Sequence, residues 1–268
     1  MEKHRPRKRF GQNFLQDGNI AAKIVAALDP EPGQAVVEIG PGQGALTRLL
    51  LERLERLDAI ELDRDLLARL SELPGAERLT VHAADALAFD FRALAEQRGG
   101  PLRVLGNLPY NISTPLLFHL LDQRDAVADM HFMLQKEVVD RLAARPGTKT
   151  YGRLSVMAQL DCMVTPLFRV PRGAFYPVPR VESEVVHLRL RPGNAPRPRD
   201  RARFAEVVAR AFQARRKTLR NALRGLCDPS CLEAAGIDPQ LRAETLAVDD
   251  FIRLADQASA GDETPAES

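Results

Sequence analysis

The chain has no tryptophan and only three tyrosines among its 268 residues. No apolar run approaches the length needed to cross a bilayer, so a membrane partner is not expected. Cysteine is nearly as scarce: Cys162, Cys227 and Cys231 are an odd number and give no disulfide framework. Cys227 and Cys231 are close enough to suggest a metal, but no second ligand pair follows, so reduced thiols and no metal centre are expected. Such cysteine usage fits the cytoplasm. Residues 1–10 are charged and have no apolar core segment, which argues against a signal peptide.

Charge is plentiful but segregated. Residues 191–225 carry eleven Lys and Arg against Asp200 and Glu206, a net +9, while residues 226–268 carry two Arg against ten acids, a net −8. A basic arm (Lys3, Arg5, Arg7, Lys8 and Arg9) opens the chain. Clustering on this scale suits a polyanionic partner; the plain alternative is a solvated helix face and a charged linker.

Asp17 is placed to cap a helix running to Leu28, with Ile20, Ile24, Val25 and Leu28 on one face. Apolar runs at 35–39, 57–62, 79–82, 103–106 and 129–134 read as strands. Leu46, Leu49, Leu50, Leu54 and Leu57 have helical spacing, and 63–70 reads as another helix. This alternation predicts a parallel, doubly wound sheet. Two further strands, 164–170 and 184–190, have no obvious helix between them and are expected as an antiparallel pair at one edge. The Pro- and Gly-rich stretch 191–198 marks a boundary between an α/β domain, 1–190, and a small helical domain, 191–268. Helices are expected there at 201–224, 228–235 and 248–257, with a frayed end from Ala258.

Gly40-Pro41-Gly42-Gln43-Gly44 lies where the first of these strands turns into a helix, and glycines there let backbone approach a ligand. Glu61, 21 residues beyond Gly40, ends the second strand, where a carboxylate can accept both hydroxyls of a ribose. Asp85 follows the third strand and is placed to receive an adenine amino group. Gly40, Gly42 and Ala45 also satisfy G-x-G-x-x-A, so these residues fit a nicotinamide enzyme and a methyltransferase equally well.

Asn107-Leu108-Pro109-Tyr110, at the end of the fourth strand, favours the methyltransferase. The exocyclic amine of adenine is a poor nucleophile because its lone pair is delocalised into the ring. Acceptors for its N–H bonds and alignment with the methyl donor overcome this. Asn107 offers a side-chain carbonyl, Leu108 a backbone carbonyl held by the turn at Pro109, and Tyr110 a face on which the base can stack. No strong general base is needed, because the donor is a cationic sulfonium. The plain alternative is a polar-aromatic turn of no chemical meaning.

In this order the residues resemble the bacterial small-subunit (16S) rRNA adenine N6,N6-dimethyltransferases. The likeness covers most of residues 8–225. It is carried by the motifs at 9–15, 38–44 and 107–110, by Tyr151-Gly152-Arg153-Leu154-Ser155-Val156, by 175–183 and by Arg216-Lys217-Thr218-Leu219-Arg220-Asn221. It implies a Rossmann-like class I methyltransferase sheet with a small C-terminal helical domain. It implies S-adenosylmethionine as cofactor, contacted by Asn13, Leu15, Gly40, Gly42, Glu61, Asp85 and Asn107, and Phe175 packing on the target adenine opposite Tyr110. Without it, Asn13 and Leu15 would go unnoticed, Phe175 would read as core, and Phe10 with Phe14 as a hydrophobic staple. The substrate it implies is a pair of adjacent adenosines in a hairpin loop near the 3′ end of small-subunit rRNA, dimethylated late in assembly of the 30S particle. An unpaired loop suits extrusion of a base into a pocket. The basic stretch then becomes a phosphate-binding surface, with Arg216 and Lys217 each one helical turn from Arg220. Nothing in the sequence suggests an extensive self-association face, so a monomer is expected.

The related large-subunit rRNA dimethyltransferases share the cofactor motifs, but Leu108 and the segments 151–156 and 216–221 favour the small-subunit class. A DNA adenine methyltransferase more often has a second proline at the position of Leu108. A non-catalytic assembly factor would have no need of intact Gly40, Glu61, Asn107 and Tyr110.

Overall fold

Short strands, the central ones largely buried, set the architecture. The structure, a computed structural model, describes residues 12–260. The basic arm, Phe10 and residues 261–268 lie outside the described residues. In chain order the first unit is built from β1 (Phe14–Leu15), α1 (Gly18–Leu28), β2 (Val36–Ile39), α2 (Thr47–Leu51), β3 (Leu57–Glu61), α3 (Arg64–Ser71), β4 (Leu79–Ala83), α4 (Phe91–Arg98), β5 (Leu102–Asn107), α5 (Ser113–Asp122) and β6 (Val127–Gln135). After α6 (Lys136–Leu142) and α7 (Arg153–Asp161) come β7 (Cys162–Val170), β8 (Phe175–Tyr176) and β9 (Ser183–Leu190).

Seven strands form one sheet in the order β4-β3-β2-β5-β6-β9-β7. Neighbours from β4 to β6 are parallel, and the mostly buried β2, β3, β5 and β6 fit a parallel sheet covered by helices on both faces. β9 runs antiparallel to β6, and β9 and β7 stand together at that edge, as expected. The chain moves outward from β2 to β3 on one side and returns to β5 on the other. The crevice beyond the C-terminal ends of β2 and β5 is therefore the switch point at which such sheets bind ligands. Gly106 lets β2 and β5 approach closely there, since a Cβ at that position would stand 2.5 Å from the Ile39 carbonyl oxygen.

Local signals explain the boundaries. Asp17 Oδ1 accepts from the amides of Asn19 and Ile20 at 2.9 and 3.1 Å, starting α1, and Ala21, Ile24, Val25 and Leu28 are buried on its inner face. α2 is shorter than the leucine spacing predicts: it ends at Leu51, and Leu57 already belongs to β3. The leucines there satisfy the core from a turn and a strand as well as from a helix. β1 and β8 form a separate two-stranded ladder pairing Phe14 with Tyr176 and Leu15 with Phe175.

The described chain divides into two compact units, and the division differs from the expected one. The linker after Leu190 is a boundary, but residues 140–163, assigned from sequence to the first domain, group with the second unit. The second unit contains α7, then α8 (Arg201–Gln213), α9 (Leu219–Ala222), α10 (Pro229–Ala234) and α11 (Val248–Ala260). Its core explains the regrouping. Tyr151 is buried, donates its hydroxyl to the Leu246 carbonyl at 2.9 Å and packs edge-on against Phe212, which in turn packs on Phe251. Asp161, at the end of α7, is fully buried and paired with Arg197 and Arg201.

Three sequence expectations are corrected here. The helix expected over 201–224 is two helices: α8 ends at Gln213 and a turn of 214–218 precedes α9. Cys227 and Cys231 are joined in a disulfide rather than left as reduced thiols. Cys227 immediately precedes the Asp228 cap of α10 and Cys231 lies in its first turn, bringing their Cα atoms to 5.6 Å, within the span a disulfide bridges. Finally, α11 continues through 258–260, where a frayed end was expected.

Candidate active site

The turns that follow β2, β3, β4 and β5 wall a cavity of about 290 Å3 in the first unit. Asn13, Leu15, Gly40, Gly42, Glu61, Asp85, Asn107, Leu108, Pro109 and Tyr110 all line it. The fold thus brings together ten residues that the sequence scatters over nearly a hundred positions.

The Gly-rich turn has left-handed backbone at Gly40, Gly42 and Gly44, with φ of 65°, 58° and 80°. At Gly42 a Cβ would also stand 3.0 Å from the Phe14 ring, so a side chain there would crowd β1 against the turn. Glu61 closes the turn from the other side. Its Oε2 accepts from the Gly42 amide at 3.2 Å and its Oε1 from the Asp63 amide at 2.8 Å. Burial raises the pKa of the Glu61 carboxyl, and those two amides oppose the shift. A carboxylate has about four acceptor positions, so the bonds from Gly42 and Asp63 do not saturate it. Asp85 is exposed; its Oδ1 accepts from the Leu87 amide at 2.9 Å, which fixes the carboxylate at the rim.

Asn107 is half-buried at the end of β5. Its Nδ2 donates to the Asn13 backbone carbonyl at 2.9 Å. That bond sets which way the amide faces: the NH2 is turned to β1, and Oδ1 is the acceptor on the other side. The Leu108 amide donates to the Met133 carbonyl at 3.2 Å, anchoring the turn to β6. The Tyr110 hydroxyl is 3.1 Å from Ser183 Oγ at the buried start of β9, which holds the ring in place.

Phe175 is not brought to the cavity. Its side chain is 3% exposed and belongs to the buried cluster with Leu15, Ile24, Val25 and Val170. β8 is short, and its pairing with β1 turns Phe175 inward and leaves Tyr176 exposed. Arg216, Lys217 and Arg220 are exposed in the second unit, but they do not share one helix: Arg216 and Lys217 occupy the turn before α9, and Arg220 lies within α9.

Among the lining residues that sequence reasoning did not assign to the site, Glu38 and Gln12 make side-chain hydrogen bonds. Glu38 is buried, accepts from Thr47 Oγ1 at 2.7 Å and lines the cavity. Burial, aided by the nearby Glu61 charge, pushes its pKa up to about 7. An acid inside a Val- and Ile-rich strand, two residues before a Gly-rich turn, was the available signal. Gln12 lines the cavity too, and its Nε2 donates to Asp63 Oδ2 at 2.9 Å; no local pattern distinguishes it.

Similarity to known proteins agrees with this geometry. The sequence model of a family described as ribosomal RNA adenine dimethylase matches residues 3–259. A protein of Chromobacterium violaceum named ribosomal RNA small subunit methyltransferase A is 54% identical over 255 residues, 95% of this chain and 96% of that one. A protein of the same name from Xanthomonas campestris pv. campestris is 57% identical, with 93% and 95% covered. Among solved structures, a dimethyladenosine transferase from Plasmodium falciparum superposes with a TM-score of 0.76 at 26% identity, over 90% of this chain and 95% of that one. The 23S rRNA methyltransferase ErmE shares the fold, with a TM-score of 0.72 at 24% identity over 92% and 100%. The α/β architecture is the Rossmann-like one of class I methyltransferases. The chain belongs to the ribosomal RNA adenine dimethylase family.

Proposed function

We propose that this chain uses S-adenosylmethionine to dimethylate the N6 amines of two adjacent adenosines in a hairpin loop near the 3′ end of small-subunit rRNA. It acts late in 30S assembly, in the cytoplasm and as a monomer. Full-length likeness to proteins named ribosomal RNA small subunit methyltransferase A supports the substrate. Among the described residues no helix is long and apolar enough to cross a membrane.

The observation that carries the reading is the orientation of the Asn107 amide within a cavity that also holds the Gly-rich turn, Glu61 and Asp85. The donor set of the cavity fits the cofactor. Glu61 accepts from ribose hydroxyls, Asp85 from an adenine amino group, and the turn at Gly40 and Gly42 lets backbone come close, with Asn13 and Leu15 completing the wall. Bound there, S-adenosylmethionine supplies an activated methyl group as a sulfonium cation.

The rest of the work is done by the chain. Asn107 Oδ1 and the Leu108 carbonyl accept from the two N–H bonds of the adenine amine, drawing its lone pair out of conjugation and stabilising the charge that develops there. Pro109 fixes the turn that presents the Leu108 carbonyl, and Tyr110, tethered through Ser183, offers a ring face for the base. Once methylated, the amine loses its proton readily, so a carboxylate base is unnecessary. Arg216, Lys217 and Arg220 hold rRNA phosphates, consistent with their exposure.

The test is incubation of the protein with labelled S-adenosylmethionine and 30S particles lacking the modification, followed by mapping of the label. Label on two adjacent adenosines near the 3′ end is expected. Label confined to other sites of the particle, or no label at all, would overturn the proposal.

A further inference from the structure

Apolar side chains exposed singly are ordinary on a protein surface, but a group of them beside a binding cavity is not. Seven large apolar residues are exposed among the described residues. Tyr176, Val178 and Val181 fall within six consecutive positions of one loop, and Leu62 lines the cavity itself. Tyr176 is 56% exposed and is the one aromatic ring in that group. The methyl-transfer site described above does not use it.

The ladder between β1 and β8 sets where this ring stands. Tyr176 is directly opposite Phe14, so the two side chains share one face, with Cβ atoms about 5 Å apart; Leu15 and Phe175 share the other. Phe14 lines the cavity, and its ring lies against Gly42. Tyr176 therefore stands at the rim, on the same side as a cavity-lining ring. The loop that follows it is held in place. Arg172 Nε donates to the Pro179 carbonyl at 2.7 Å, and the Lys136 amide to the Glu182 carbonyl at 3.0 Å. Ser183, at the loop's far end, is the residue whose Oγ is 3.1 Å from the Tyr110 hydroxyl. The proline rings of Pro177 and Pro179 restrict the backbone between these ties.

We propose that Tyr176 is the stacking platform for the unpaired nucleobase next to the adenine held in the cavity, an inference that rests on the RNA-methylating function proposed above. A strand that delivers one adenine into the cavity leaves the adjacent base at the rim, stripped of the stacking it had in the loop. An exposed ring face there gives that base a new partner. Every base has a π-face, so Tyr176 positions the strand and does not read its sequence. Where the target is two adjacent adenosines, the base on Tyr176 is the second substrate, kept one nucleotide from the cavity while the first is methylated.

Charge on this loop suits a nucleic-acid strand. Arg172 and Arg180 are exposed to either side of Tyr176 in the sequence, and Glu182 is the one acid within 176–183. Cations for phosphates and a ring for bases are the makings of a single-strand binding surface. A protein partner is the rival occupant of an exposed apolar patch. It would need about 800 Å2 of complementary surface, far more than three side chains interrupted by Arg180 offer. A single base needs only one ring face.

Steady-state methylation of unmodified 30S particles at saturating S-adenosylmethionine tests this on the full chain. Tyr176→Ala should raise KM for the particles about 5- to 150-fold, the loss of one base–aromatic stack, while kcat and S-adenosylmethionine affinity hold. Tyr176→Phe keeps the ring face and should keep the wild-type KM, a split that a role for the hydroxyl would not produce. Tyr176 is exposed, so both variants should fold. Because the chain has no tryptophan, Tyr176→Trp places a single reporter at the rim. Its fluorescence should be quenched by a hairpin RNA with two adjacent loop adenosines, and not by the same hairpin with abasic nucleotides there, which keeps the phosphates. Quenching needs no catalysis, so a wild-type protein that fails to methylate would count against the proposed function while the stack is still read. Unchanged KM in Tyr176→Ala, equal losses in Tyr176→Ala and Tyr176→Phe, or fluorescence blind to the loop bases would overturn the inference.

Discussion

Replacing Asn107 by alanine separates the two tasks that its amide performs. Nδ2 holds the Asn13 carbonyl at 2.9 Å, tying β1 to the end of β5, and Oδ1 is the acceptor offered to the adenine amine. Loss of the first is an ordinary neutral hydrogen bond, about 0.5–1.5 kcal/mol, or roughly a twofold to thirteenfold weakening of cofactor affinity through looser placement of Asn13. Loss of the second leaves the amine without one acceptor as charge develops. Deleting one preorganised hydrogen-bonding group from a transition-state site costs about 2.7–4 kcal/mol, so the chemical step should slow by about a hundredfold to a thousandfold. Single-turnover methylation of 30S particles at saturating S-adenosylmethionine isolates the second loss, because saturation masks the first. Affinity for rRNA should be unchanged, since binding rests mainly on phosphate contacts elsewhere. Asn107→Asp adds a control: it keeps an acceptor oxygen but places a carboxylate against the Asn13 carbonyl, so it should damage cofactor affinity more than alanine does. A wild-type single-turnover rate in Asn107→Ala would refute the assignment of Asn107 and, with it, the placing of catalysis at this turn.

Three other outcomes are expected. Glu61→Gln should weaken S-adenosylmethionine binding by about 1.5–3 kcal/mol, a charge-assisted hydrogen bond's contribution, and unchanged affinity by calorimetry would remove Glu61 from the ribose site. Glu38→Gln should alter the pH dependence of stability. The folded pKa of Glu38, about 7, lies above its ordinary 4.5, so the native state holds the extra proton between those values and stability falls as pH rises through that window. The variant should lack this fall, gaining up to about 3 kcal/mol on wild type between pH 4.5 and 8, and parallel melting curves across that range would contradict it. Changing Arg216, Lys217 and Arg220 together to alanine should flatten the log–log salt dependence of rRNA binding by about two to three units while leaving cofactor affinity intact; an unaltered slope would make them a solvated surface.

What was legible in the sequence follows from the range of the interactions involved. Strands β2, β3, β5 and β6 are runs of mostly buried residues, and Asp17 caps α1 with an oxygen two and three residues away from its donors, so composition over a few positions suffices. The turns at Gly40–Gly44 and Asn107–Tyr110 are likewise local, and the doubly wound order dictates that both reach one crevice. Asn13 and Leu15 are different. They reach the cavity because β1 pairs with β8, some 160 residues away, with Gly42 packed close beneath the Phe14 ring. Only likeness to a family could have pointed to them. Phe175 shows the other side of the same pairing: the family motif marks it as a site residue, while here its ladder partner is Leu15 and its side chain packs in the buried cluster. Tyr151 repeats the lesson within the second unit. Its motif is part of what makes the family recognisable, yet its hydroxyl serves the Leu246 carbonyl and its ring a buried aromatic cluster. A family motif therefore marks a position whose environment is demanding, and the demand can come from packing as readily as from chemistry. Asn107 and Tyr151 are distinguished only by which polar atoms remain for a ligand once the fold has taken its share: Oδ1 in the first case, and no side-chain donor in the second.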